Sequence, residues 1–153
     1  MSVQAATQSA ALRLEHAGVC LTLLPQRAVL IEHERALLVS DLHLGMAATF
    51  RKLGVPVPEG TTLATLARLD ALLEQHQPAV LCVLGDLLHA PAAHTPLVID
   101  ALANWRARHQ ALRVLLVRGN HDDRAHLRAA FPEHHYLFQN RDAVQWEIGR
   151  AHV

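Results

Sequence analysis

Short apolar runs broken by turn residues dominate the first forty positions. Val19–Leu24 and Ala28–Ile31 are two such runs, and Pro25, Gln26 and Arg27 between them predict a hairpin. A third run, residues 36–40, reads as another strand, while the residues before Val19 are polar and predict a loose start. The stretch GVPVPEG at 54–60 cannot be a helix interior, because Pro56 and Pro58 exclude it, and predicts a stiff exposed loop. From Thr61 the period becomes helical. Leu63, Leu66, Leu69 and Leu73 share one stripe, Thr61 or Thr62 offers an N-cap, and the helix ends near His76, before Pro78. Next come an apolar run at 79–85, a helix at about 97–108, a second apolar run at 112–118 and a short helix at about 123–130. Continuous apolar strands alternating with helices predict an α/β fold whose central strands are covered on both faces.

The 153 residues suit one domain, and 51% hydrophobic against 18% charged residues excludes a disordered chain or a coiled coil. Fourteen Lys and Arg balance fourteen Asp and Glu, so net charge provides no general pull toward nucleic acid or an anionic membrane. Any such binding must be local. Cys20 and Cys82 sit inside apolar runs, as core cysteines of a reducing compartment do. With no signal-peptide pattern and no apolar run near the roughly 18 residues of a membrane span, a cytoplasmic protein without membrane contact is expected.

The chemistry collects where the apolar strands end. The run 36–40 is followed by Asp41 and His43, the run 79–84 by Gly85, Asp86 and His89, and the run 112–118 by Gly119, Asn120, His121 and Asp122. Parallel strands of an open α/β sheet deliver their carboxyl ends to one edge, so three strand ends bring polar groups to one place. Carboxylates, imidazoles and an amide oxygen without a thiolate suit hard or borderline divalent ions such as Mn, Fe or Zn. Asp41 and His43, two apart, can reach one ion if the backbone stays extended. Gly85 and Gly119 allow the chain to turn sharply beside it.

Asp41-Leu-His43, Gly85-Asp86 and Gly119-Asn120-His121-Asp122, in that order and spacing, resemble the signature of the calcineurin-like metallophosphoesterases. The resemblance implies a β-sandwich flanked by helices (four layers, α/β/β/α) and two divalent metal ions, Mn foremost. Asp41 and His43 would bind the first, Asp86 bridge both and Asn120 bind the second. His121 would then act beside the scissile phosphate as general acid or charge stabiliser, oriented by Asp122. A narrower likeness covers residues 24–91, where LPQRAVLIE, SDLHLG, FRKLGVPVPEG and LGDLLHAP look like the ligase-associated DNA damage response endonucleases. That subfamily implies a DNA phosphodiesterase acting beside a repair ligase and a helicase. His89 stands where many relatives carry Asp, and Met46 replaces an expected Lys.

Arg51, in the proline loop, is a candidate phosphate contact because guanidinium forks match phosphate oxygens, and His89 a candidate substrate or supporting group. Trp105 falls on a helical stripe with Leu102 and reads as core, whereas Arg118, Arg124 and Arg128 read as surface charge. The later Gly-His-x-His element of the family is missing, since Gly149 precedes Arg150. Asp41, His43, Asp86 and Asn120 are too few for two ions of about six ligands each. Residues 1–147 therefore read as a partial metallophosphoesterase domain, incomplete at the C-terminus. The ending Ile148-Gly-Arg-Ala-His-Val153 matches one reading frame of a common sequencing-library adapter and is expected to be a non-native tail. Two rival readings are an enzyme for nucleotides or other small phosphate esters and a noncatalytic interaction module. Resequencing the locus should show the frame continuing past Glu147; an intact gene that stops after Val153 would contradict the adapter reading.

Overall fold

The computed structural model of the chain describes residues 11–57, 60–93 and 95–117 and the backbone of a strand at 136–139. Four strands open the fold: β1 (Leu12–His16), β2 (Val19–Leu24), β3 (Ala28–Ile31) and β4 (Ala36–Val39). Each pairs antiparallel with the one before it, because the turns between them are too short for anything else. Then α1 (Met46–Lys52) and α2 (Thr61–His76) carry the chain back, so that β5 (Val80–Leu84) enters parallel to β4. The helix α3 (Pro96–Arg108) makes the same crossover to β6 (Arg113–Val117), and β7 (Tyr136–Gln139) pairs parallel to β6. One seven-stranded mixed sheet results, in the order β1 to β7.

The core lies between this sheet and α2 and α3. Leu37 and Val39 of β4, Leu81 and Val83 of β5 and Val114 and Leu116 of β6 meet Leu66, Leu69, Leu72 and Leu73 of α2 and Val98, Leu102 and Trp105 of α3. Burying each such leucine contributes about 2 kcal/mol. On the opposite face Cys82 and Leu115 form a second cluster with Leu38, Val80 and Val117. The central strands are therefore apolar on both faces, as their unbroken hydrophobic runs predict. Burial pushes the Cys82 thiol up to about 11, which makes it an inert core side chain, while Cys20 is only half-buried. The described residues supply one sheet and its helix layer of the four-layer sandwich; the helix expected at 123–130 and the tail at 148–153 lie outside them.

Several local expectations are corrected. The start is not loose from residue 12 onward, because β1 adds to the sheet edge by pairing Leu12 with Leu23 and Leu14 with Leu21. Arg51, read as part of the proline loop, lies instead in α1, which spans Met46–Lys52. Neither Thr61 nor Thr62 caps α2: Gly60 holds the N-cap position, and the Thr62 hydroxyl accepts a hydrogen bond from the Gly45 N–H at 3.2 Å. Leu63 points to solvent, 57% exposed, and Leu72 takes its place in the buried stripe.

Two contacts fix the helices. Asp70 of α2 accepts a hydrogen bond from Arg108 Nη2 at 3.0 Å and lies 2.7 Å from His109 Nε2, joining α2 to the end of α3. Partial burial alone would raise the Asp70 carboxyl, but the hydrogen bonds and charges of His109 and Arg108 outweigh it and hold the group below its ordinary value. At the start of α1, Gly45 has φ +78°, and a Cβ there would overlap Ala93 Cβ and sit 2.9 Å from Ala93 Cα.

Two predictions follow. A carboxylate with a depressed folded-state pKa stabilises fully above its unfolded pKa, near 4, and loses that stabilisation as pH falls through the folded value. Asp70→Asn should lower stability by about 1 kcal/mol or less at pH 7, given the exposed setting. In denaturant titrations that deficit should shrink below about pH 4; a deficit constant with pH would contradict it. Gly45→Ala should cost about 2–4 kcal/mol through overlap and backbone strain. Gly54→Ala, at the same φ of +78° but with nothing within 4 Å, should cost clearly less in the same melting experiment.

Candidate metal centre

The segments that follow β4 and β5 remain paired beyond the strands. The Asp41 N–H donates to Gly85 O at 3.3 Å, His43 N–H to Asp86 O at 2.9 Å, Leu44 N–H to Leu87 O at 2.8 Å and His89 N–H to Leu44 O at 3.1 Å. Leu42, Leu44, Leu87 and Leu88 turn into the core, from 6% to 0% exposed. Asp41, exposed, and His43, Asp86 and His89, each partly covered, flank these leucines and meet along one edge.

The backbone that achieves this is not extended. Asp41, His43 and Asp86 have φ of 51°, 43° and 53°, all left-handed, which corrects the expectation drawn from an Asp-x-His spacing. Asp and His tolerate that region better than branched residues, yet each such position costs on the order of 1 kcal/mol. Strain at three neighbouring functional side chains is typical of a site held ready by its surroundings.

The three side chains meet. His43 Nε2 lies 3.8 Å from Asp41 Oδ1 and 4.0 Å from Asp86 Oδ2, and one ligand atom from each residue falls within 4.8 Å of the others. Asp86 and His43 are largely covered, with side chains 16% and 25% exposed, while Asp41 opens to solvent at 66%. Two carboxylate oxygens and an imidazole nitrogen are the donor set of a hard or borderline divalent cation, so the residues fit the metal implied by the sequence. A cation between them would also relieve the repulsion of the two carboxylates.

His89 joins the group from the side. Its Nδ1 lies 3.3 Å from His43 Nδ1, the two rings meet edge-on with centroids 5.2 Å apart, and Phe50 stacks on its other side at 5.9 Å. Phe50 carried no signal in the sequence, because the helix that presents it, α1, was not legible there. Among the described residues the ligand cluster is Asp41, His43 and Asp86, and Arg51 is not one of its members. It is exposed on α1 and lines, with Lys52, a groove of about 830 Å³ that begins at Gly45 and runs between the N-terminal ends of α2 and α3. Asn120, His121 and Asp122 lie outside the described residues.

Comparisons with known proteins agree with this geometry. The family model described as calcineurin-like phosphoesterase matches residues 34–150. A search of curated proteins gave no match. Among solved structures, the crystal structure of the nuclease MPE of Pseudomonas putida is 39% identical, with a TM-score of 0.73 over 86% of this chain. The chain spans 60% of the length of that nuclease. A family match over most of the sequence, on a sheet whose adjacent parallel strands bring Asp41, His43 and Asp86 together, shows that the chain belongs to the calcineurin-like phosphoesterase family.

Proposed function

We propose that this chain carries the first half of the metal site of a phosphodiesterase that cuts DNA. The cluster of Asp41, His43 and Asp86, with ligand atoms within 4.8 Å of one another at the carboxyl ends of β4 and β5, carries the proposal. The 39% identity to a solved nuclease supports a nucleic-acid substrate over a small ester. The subfamily likeness adds a role in DNA repair beside a ligase and a helicase, in the cytoplasm. No helix among the described residues is long and apolar enough to cross a membrane.

Asp41 and His43 would hold one divalent ion, Asp86 would be shared between two, and Asn120 would serve the second. When bound, such ions supply an activated water and neutralise charge on the phosphate. The protein's own groups do the rest. The buried leucines and the paired backbone fix where the ligands stand, and the partial cover of Asp86 and His43 limits competing water. His121, oriented by Asp122, would deliver a proton at the leaving oxygen or stabilise the charge there. Arg51 and Lys52 line the same groove as Gly45, Thr61, Thr62 and Thr95, and their charges would suit the phosphates of a strand.

The test is hydrolysis by the complete gene product, supplied with Mn²⁺, of single-stranded and duplex DNA, cyclic nucleotides and a generic aryl phosphodiester. DNA should be cut, and Asp86→Ala should lower the rate at least about 100-fold, equivalent to about 2.7 kcal/mol. Activity untouched by Asp86→Ala would refute the metal assignment, and activity confined to small esters would refute DNA as the substrate.

A further inference from the structure

The geometry points to His89 as a positioning residue that holds His43 in the tautomer its metal needs, by accepting a hydrogen bond from His43 Nδ1–H. The inference rests on the metal reading above and extends it to a residue outside the three ligands. His43 turns its two ring nitrogens to different surroundings. Nε2 faces the carboxylates, 3.8 Å from Asp41 Oδ1 and 4.0 Å from Asp86 Oδ2, and Nδ1 faces His89 Nδ1 at 3.3 Å. A nitrogen that gives its lone pair to a cation cannot also carry a proton. With Nε2 reserved for the cation, a neutral His43 must carry its single proton on Nδ1.

That assignment settles the contact between the two histidines. Two imidazole nitrogens form a hydrogen bond only when one bears the proton and the other a lone pair. His43 Nδ1–H donates, His89 Nδ1 accepts, and the proton of His89 sits on its Nε2. A ligand histidine usually gives its second N–H to a carboxylate or a carbonyl, which fixes ring orientation and raises basicity. Here a neutral imidazole fills the position. It orients the ligand without adding a third negative charge to a site that already holds two carboxylates.

His89 is held where this task requires it. Its N–H bonds Leu44 O at 3.1 Å, and Leu44 and Leu88 form a parallel bridge, so the backbone that carries His43 is tied to the backbone that carries His89. Phe50 stacks on the His89 ring with planes 28° apart, and the His43 ring meets it at 70°. The ring is thus gripped between a helix side chain and its donor partner, His43.

Two variants separate hydrogen bonding from packing. His89→Leu keeps an apolar group against Phe50 and removes the acceptor; His89→Asn places Oδ1 close to the lost Nδ1. The readouts are Mn²⁺ affinity by calorimetry and, in the chain loaded with diamagnetic Zn²⁺, the ¹H–¹⁵N signal of His43 Nδ1–H, whose downfield position reports its hydrogen bond. His89→Leu should weaken Mn²⁺ binding about tenfold and move that signal upfield. His89→Asn should retain affinity within about threefold and keep the signal downfield. An unchanged His43 signal in His89→Leu, or an Asn variant as impaired as the Leu variant, would overturn the role given to His89. Wild-type Mn²⁺ affinity in Asp86→Ala would instead overturn the metal reading beneath it.

Discussion

Everything at the site depends on the parallel pairing that persists past the ends of β4 and β5. Hydrogen bonds from His43 to Asp86 and from Leu44 to Leu87, 2.9 and 2.8 Å long, lock two loops into one ribbon after the regular strands have stopped. Leu44 and Leu88 anchor that ribbon in the core at 1% and 0% exposure. With the leucines committed inward, the chain has one direction left for Asp41, His43, Asp86 and His89. The hydrophobic core thereby decides where the charged groups stand, which a loop of polar residues could not do alone.

This arrangement opposes two local preferences. Left-handed φ at Asp41, His43 and Asp86 costs on the order of 1 kcal/mol at each position. Two carboxylates near one another repel. The burial of four leucines, at about 2 kcal/mol each, is large enough to hold the ribbon against both. A divalent ion would then turn the electrostatic penalty into attraction. Left-handed non-glycine residues also occur at Ala17, Arg27, Arg35 and Gln77, in turns between elements, while the strands themselves pair in continuous register.

Much of this was legible in the sequence because hydrophobic runs encode burial directly. The strands β2 to β6 and the helices α2 and α3 follow from them, and so does the gathering of Asp41, His43 and Asp86 at adjacent strand ends. What escaped depends on partners distant in the chain. β1 has few apolar residues and exists by pairing with β2, and α1 is seven residues long, too short for a clear period. Leu63 fits the helical stripe on paper but is 57% exposed at the helix start, where it lines the groove beside Thr61 and Thr62. The left-handed backbone at Asp41 and His43 was hidden for the same reason, since the ribbon that enforces it joins residues more than forty positions apart. His89 was noticed in the sequence, but only the 3.3 Å contact connects it with His43 and not solely with a substrate.

Under the proposed function, the ribbon gathers Asp41, His43 and Asp86 so that together they would hold a divalent ion. Anomalous diffraction at the manganese edge, from crystals of the protein grown with Mn²⁺, tests it most directly. A peak within about 2.0–2.6 Å of His43 Nε2 and of a carboxylate oxygen of both Asp41 and Asp86 is the predicted result. A fully ordered site with no peak there, or an ion bound through His43 Nδ1, would contradict it.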